Sequence, residues 1–412
     1  MQKLILLGFF AAILLPAAAA QRVTVKELEQ KLATPVVVHG PGTLQDSQIS
    51  AETDLLQQLG QDSVLAPQIE NLELSERLTP VTLKRFVATY QLGPQVQMAL
   101  EQLADRSALL DPPASELPVM APPDAQTQHK IVASARAWLF QTLAHLPNFF
   151  ALRTTARFDN TPLLINGRDL TVTGRLHMQE TSTREITFRD GKEVVNPLNP
   201  ARLPNLAPGA GLESAGEFGP EPAIALLDLD SGSLAFHHWE RTSSGPAAVF
   251  RYSVPSSGSH YEVNYRCMDK ALLHKNPSYH GTISIDPASG AILRLALEAD
   301  WKPGDPVSHI ASVIEYGPVV LGDRYYICPE RSLAFMVEEA NACVRGRRSR
   351  NPGPALIMLN RTTFAGYHRL GSTSRIVSEK LLDSAASPGP ASPANAQQPA
   401  AAGSAPPQKD QP

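Results

Sequence analysis

Cysteine is scarce in this chain, with 3 residues in 412. That excludes a fold built on a disulfide framework, since Cys267, Cys328 and Cys343 can form at most one internal bridge, and their spacing singles out no pair. Charge of one sign is lacking too. Charged residues are 18% of the chain and the formal net charge is −4, so the basic footprint of a nucleic-acid-binding protein is missing and no nucleic acid is expected as a partner. Long hydrophobic runs are absent after the first 15 residues, and the run Leu4 to Leu15 is itself too short to span a bilayer, so the chain is not expected to span a membrane.

What is present begins with an export signal. Lys3 precedes the apolar run and Ala18-Ala19-Ala20 follows it, the pattern of a secretory signal peptide over residues 1–20. The mature chain is expected in the periplasm or outside the cell. Proline, at 36 residues, is the compositional excess. It collects at helix joints, in a linker at residues 112–123, in a Pro- and Gly-rich stretch from Asn196 to Pro222, and in the tail at residues 384–412. The tail holds no aromatic or β-branched residue, so it cannot bury enough surface to offset its ordering entropy and is expected to be disordered.

Residues 21–111 read as a helical subdomain. Thr24 and Glu27 form a capping box ahead of Val25, Leu28 and Leu32. A second helix is expected from Ser50 to its stop at Gly60, a third begins at Thr79-Pro80, and a fourth follows Gly93-Pro94. Residues 124–375 read as one domain. Asp124 caps a long helix whose apolar positions Ile131, Val132, Ala135, Trp138, Leu139, Leu143 and Leu146 recur at three- and four-residue steps. After Phe149-Phe150 the period changes to two. Strands are expected near 150–158, 169–179, 184–190, 233–241, 247–254, 260–267, 279–286, 290–299, 308–317, 322–328, 331–338 and 355–370, with a short helix near Pro222 to Leu227. Asp286-Pro287-Ala288-Ser289-Gly290 and Gly322-Asp323 mark two hairpin turns. The expected class is α+β: a helical N-terminal subdomain, then a curved antiparallel sheet, or half-barrel, covered by the long amphipathic helix.

The usual enzyme and cofactor motifs are missing: there is no G-x-S-x-G, H-E-x-x-H, C-x-x-C, P-loop or G-x-G-x-x-G, and no cofactor is expected. The most metal-like cluster is His237-His238-Trp239-Glu240. On a regular strand His237 would share a face with Trp239 and His238 with Glu240, leaving two ligands per side at most. The competing reading is a half-buried strand that packs imidazole and indole on both faces. Ser259-His260 has no acid that the sequence can place beside it, and His274 and His280 read as loop residues. The run Arg345, Arg347, Arg348 and Arg350 is compatible with an anionic partner or with a solvated loop.

The long helix, Phe149-Phe150, the strand ending Ala156-Arg157-Phe158 and the antiparallel strands after it resemble the periplasmic lipoprotein-carrier family and its lipoprotein-sorting (Lol-like) relatives, over about residues 124 to 373. The phrases Phe236-His237-His238-Trp239-Glu240, Tyr279-His280-Gly281-Thr282-Ile283, Ile285-Asp286-Pro287-Ala288-Ser289-Gly290 and Glu315-Tyr316-Gly317-Pro318 resemble exported proteins of acidobacterial type. The first resemblance implies an incomplete antiparallel barrel with an apolar concave side under helices. The expected role is an exported, non-enzymatic protein that binds a lipid or lipoprotein acyl chain. Trp138, Ile283, Ile285, Ile292, Leu295 and Val313 are the candidate apolar lining. Two alternatives stand beside it: an envelope module that engages a protein partner around a filled core, and a metal-dependent or hydrolytic enzyme around His237, His238 and Glu240.

Overall fold

The structure, a computed structural model, describes residues 21–34, 62–161, 164–165, 168–169, 175–195, 212–267, 270–339 and 355–370. The signal peptide expected at 1–20, the helix expected at 50–60, Cys343, the Arg345–Arg350 run and residues 384–412 lie outside the described residues.

In the N-terminal part, the strand β1 (Gln21–Val23) leads into α1 (Val25–Ala33), where Thr24 and Glu27 make the reciprocal capping box. A helix not anticipated from the sequence, α2 (62–70), precedes β2 (Leu72–Leu74), which pairs in parallel with β1. Then come α3 (Pro80–Tyr90) and α4 (Pro94–Arg106), each with proline in its first turn, where the missing N–H has no helical partner to lose. Asp62 accepts the backbone N–H groups of Gln95 and Val96 at 3.0 and 2.8 Å and so caps α4 from another element. Leu28, Ile69, Leu78, Phe86, Leu100 and Leu103 close a core of their own.

Asp124 caps α5 (Ala125–His145) through the Thr127 N–H at 2.7 Å, as its sequence position implies. The chain then enters β3 (Phe149–Asp159), the short pair β4 (Leu164–Ile165) and β5 (Arg168–Asp169), and the hairpin β6 (His177–Arg189) and β7 (Lys192–Val195). Helix α6 (Pro220–Asp228) follows, then β8 (Ser233–Thr242) and β9 (Gly245–Val254). A separate hairpin, β10 (Val263–Cys267) and β11 (Lys270–Lys275), interrupts the meander before β12 (Tyr279–Ile285), β13 (Ile292–Ala299), β14 (Val307–Leu321), β15 (Arg324–Glu338) and β16 (Leu356–Arg369).

Ten of these strands form one antiparallel sheet in the order β7-β6-β3-β16-β15-β14-β13-β12-β9-β8, open at β7 and β8 and so not closed into a barrel. Every neighbour pair joins strands consecutive in the chain except β3 with β6, β9 with β12 and β16 with β3, and the last of these zips the final strand onto β3. The sequence splits β15 at Cys328-Pro329-Glu330, whereas the structure runs straight through. Pro329 sits opposite Tyr316 at a register shift, the kind of irregularity at which a strand accommodates proline. At the β12–β13 turn Gly290 has φ +76°, and a Cβ there would lie 2.5 Å from the Ser134 carbonyl oxygen, so this turn can pack on α5 only as glycine.

The sheet is covered on both faces. On one face α5 and α6 bury Phe250, Tyr252, Ile283, Ile285, Leu295 and Leu297. Against the other, residues of α4 and the chain just after it lie over Val313, Leu333 and Leu359. The Pro-rich linker passes along edge strand β8, where the Glu116 carbonyl accepts from Arg241 and the Ala121 carbonyl accepts from Trp239 Nε1 at 2.9 Å. Among the described residues no helix is long and apolar enough to cross a membrane.

Candidate functional site

Of the six lining positions expected from alternation, four meet in one place. Ile283, Ile285, Ile292 and Leu295 are each at most 1% exposed and pack on Ile131, Ala135 and Leu139 of α5 and on Ala225 and Leu226 of α6. Trp138 packs partly buried on the same cluster. Val313 does not join them. It pairs with Ala296 while its neighbour Ile314 pairs with Leu295, so it points to the opposite face, against Ala108, Phe158, Leu333 and Leu359. Alternation within one strand cannot reveal the register between strands. The space beside Trp138, Leu139 and Ile292 is about 20 Å³, and the face expected to be concave and open is filled there by α5 and α6.

The large space lies farther along the same face, over β3, β6 and β16. It is a cleft of about 710 Å³, within the range of small-molecule sites, and the next one described is about 80 Å³. Its floor follows from strand pleat and register. Arg153, Thr155 and Arg157 alternate on one side of β3, Arg184 and Ser182 stand opposite Arg153 and Thr155 on β6, and Thr362 stands opposite Thr155 on β16. Thr155 and Thr362 exchange a hydroxyl hydrogen bond at 3.0 Å. Phe188 and Phe218 add an aromatic wall, and residues 212–220 form the other side.

The charges in this cleft are unevenly matched. Arg153 donates to Glu217 Oε1 at 3.0 Å and to the Ser214 carbonyl at 2.8 Å, and Glu217 also accepts from Ser332 at 3.2 Å. Arg157 pairs with Glu180 at 3.0 Å. Burial, with Glu217 nearby, pushes the Glu193 carboxyl up against the pull of Arg153. Arg184 and Lys192 line the cleft without an ion-pair partner among the described residues. Sequence reasoning missed this cleft: β3 and β6 carry polar residues at alternate positions, and only the structure shows that Arg153, Thr155, Ser182 and Arg184 face inward while Leu152 and Met178 are exposed.

The opposite face holds the histidine cluster. A bulge in β8 between Phe236 and His238 breaks the alternation assumed from sequence, so Phe236 pairs with Phe250, His238 with Val249 and Glu240 with Ala247. Trp239 then turns to the α5 side, and His237, His238 and Glu240 share the other face. His237 Nε2 lies 3.0 Å from Asp111 Oδ2, which also accepts from Arg251 at 2.6 Å. Burial alone would raise both carboxyls here. For Asp111 the contacts with His237 and Arg251 outweigh it, and for Glu240 the neighbouring His238 and Arg77 hold the carboxyl down at about 2.

The acid missing beside His260 is Asp228 at the end of α6. Its fully buried carboxylate meets His260 Nδ1 at 2.5 Å and accepts from Tyr279 at 2.8 Å, which ties α6 to the sheet. Cys328 is a buried free thiol, pushed up to about 12 by burial, and the Cys267 side chain lies outside the described residues.

No protein-family description matches this chain, and no curated protein matches it. Two solved structures are similar to it. A DUF1329 family protein from Desulfovibrio piger shares 8% identity and a TM-score of 0.28, over 60% of this chain and 94% of that one. A LolA superfamily protein from Nitrosomonas europaea shares 7% identity and a TM-score of 0.23, over 60% of this chain and 98% of that one. Scores this low carry nothing about function, and this chain's own residues have to supply it.

Proposed function

We propose that this chain is an exported, carrier-like binding protein that holds an amphipathic anion, an acyl chain with a charged head, in the cleft over β3, β6 and β16. The observation that supports this reading is one cleft of about 710 Å³ in which Arg184 and Lys192 stand without ion-pair partners among the described residues, beside the aromatic wall of Phe188 and Phe218. An acyl chain on that wall leaves water at about 25 cal/mol per Å² of apolar surface. A carboxylate or phosphate at Arg184 gains a charge-assisted hydrogen bond of about 1.5–3 kcal/mol. Arg153 and Arg157 are already neutralised by Glu217 and Glu180, so they shape the floor, and the anion is left to Arg184 and Lys192.

Binding of a fluorescent polyunsaturated fatty acid, compared with the alcohol of the same chain, tests this. The acid is expected to bind the mature protein about tenfold tighter than the alcohol, about 1.4 kcal/mol, and Arg184→Gln is expected to erase that preference while leaving alcohol binding unchanged. Equal binding of acid and alcohol, or a preference that survives Arg184→Gln, would refute the proposal.

A further inference from the structure

The bulge in β8 has an unusual product: two consecutive histidines on one face of a strand, beside an aspartate from a different part of the chain. The ligating atoms of Asp111, His237 and His238 all lie within 4.8 Å of one another. His237 Nε2 and Asp111 Oδ2 are already 3.0 Å apart, close to the roughly 3.3 Å edge of a tetrahedron with bonds of about 2.05 Å. The two imidazole rings are 4.5 Å apart at 67°. His238 Nε2 is buried and has no hydrogen-bond partner among the described residues, since Glu240 Oε2 at 3.8 Å is beyond hydrogen-bond reach. A buried ring nitrogen without a partner calls for a physical account.

We propose that Asp111, His237 and His238 bind one divalent transition-metal ion of the zinc class, at the seam between the helical subdomain and the β8 edge of the sheet. Small rotations of the His238 and Asp111 side chains bring three donors to bonding distance. Glu240, whose Oε2 is 3.8 Å from His238 Nε2, is a candidate for the fourth position. Donor type sets the class of metal: two imidazoles and one carboxylate suit zinc, nickel or copper, while magnesium and calcium take oxygen ligands.

The nearby guanidiniums sharpen this choice. Arg251 holds Asp111 Oδ2, and Arg77 holds Glu240. Each carboxylate is therefore held in place by a guanidinium, as carboxylates that ligate metals usually are by a hydrogen-bonding neighbour. The same positive charges penalise a hard cation that has little covalent bonding to offset repulsion. His237 and Asp111 side chains are 26% and 44% exposed, which leaves an entry path. The ion would join the residue that ends the helical subdomain to the edge strand of the sheet, so it would act as a clip between two parts of the chain. The site lies on the opposite face from the cleft, so its success or failure is independent of the acyl-anion reading.

The test uses the full mature chain after treatment with a chelator. Titration with Zn²⁺ by calorimetry, and with Co²⁺ by visible absorption, is expected to show one equivalent bound with a tetrahedral-type spectrum and no competition from millimolar Mg²⁺ or Ca²⁺. Affinity is expected to fall at least tenfold in His238→Gln and in Asp111→Asn, and to stay unchanged in His274→Gln, a histidine on the separate β10–β11 hairpin. X-ray absorption of the wild-type zinc complex decides without any variant and is expected to report two imidazoles. No uptake of either metal, full affinity retained in both His238→Gln and Asp111→Asn, or fewer than two imidazoles in the zinc complex would overturn the proposal.

Discussion

Glu221 supplies the sharpest test of how this fold is balanced. It sits in the first turn of α6, buried under the sheet, where the Ser312 hydroxyl donates to it. Desolvation drives its carboxyl up, the Ser312 hydrogen bond pulls it back and Glu217 adds repulsion, for a net rise from 4.5 to about 7. The folded chain therefore keeps a proton that the unfolded chain releases. Below about pH 4.5 both states are protonated and the stability is intact. Between about pH 4.5 and about 7 stability is lost at roughly 1.36 kcal/mol per pH unit, about 3 kcal/mol in all, and it is flat above that. Glu221→Gln keeps the shape, keeps a carbonyl for Ser312 to donate to, and removes the titration. In urea unfolding followed by tryptophan fluorescence, to which Trp138 and Trp239 in the adjoining core contribute, the variant should match the wild type near pH 4.5 and exceed it by about 2–3 kcal/mol near pH 8. A difference between the two proteins that stays constant across that range would show that Glu221 is not held protonated by burial, and the reasoning fails.

Two further outcomes follow from the interior of the sheet. Asp105 of α4, with a fully buried carboxylate, bridges Arg331 and Arg361 on the face opposite α5. Asp105→Ala removes the buried carboxylate the two guanidiniums share, leaving Arg331 to Glu315 and Arg361 to Glu101, and should cost about 2 kcal/mol in the same unfolding assay, with faster proteolysis at residues 112–123; a loss under about 1 kcal/mol would mean that the bridge does not hold α4 on the sheet. At Gly281 a Cβ would lie 1.9 Å from the Ala296 carbonyl oxygen, which also accepts the Tyr252 hydroxyl at 2.8 Å. Gly281→Ala should therefore destabilise by about 2 kcal/mol or more, and a melting temperature equal to that of the wild type would contradict the close approach of β12 to β13.

Local signals in the chain determined the elements that depend on neighbours in sequence. The Thr24–Glu27 capping box, the prolines that open α3 and α4, the Asp124 cap of α5 and the Asp286–Gly290 and Gly322-Asp323 turns all stand where a few adjacent residues place them, because caps and turns are satisfied within one or two turns of backbone. Even the apolar stripe of α5 and the strands Ile283–Ile285 and Ile292–Leu295 were legible as surfaces that must be buried. What covers each surface was not. Val313 went to the far face because strand register is a relation between distant segments, and one residue of shift inverts a side chain. The bulge that turns His237 and His238 to the same side is a shift in the β8–β9 register, while the approach of Asp111 and the inward arginines of β3 and β6 arise from pairings between segments distant in sequence; no local period encodes either. The chain by itself specified most of its helices and strands, though not α2 or the continuity of β15; tertiary pairing alone decided that the apolar face is filled, where the open cleft lies, and which charges face it.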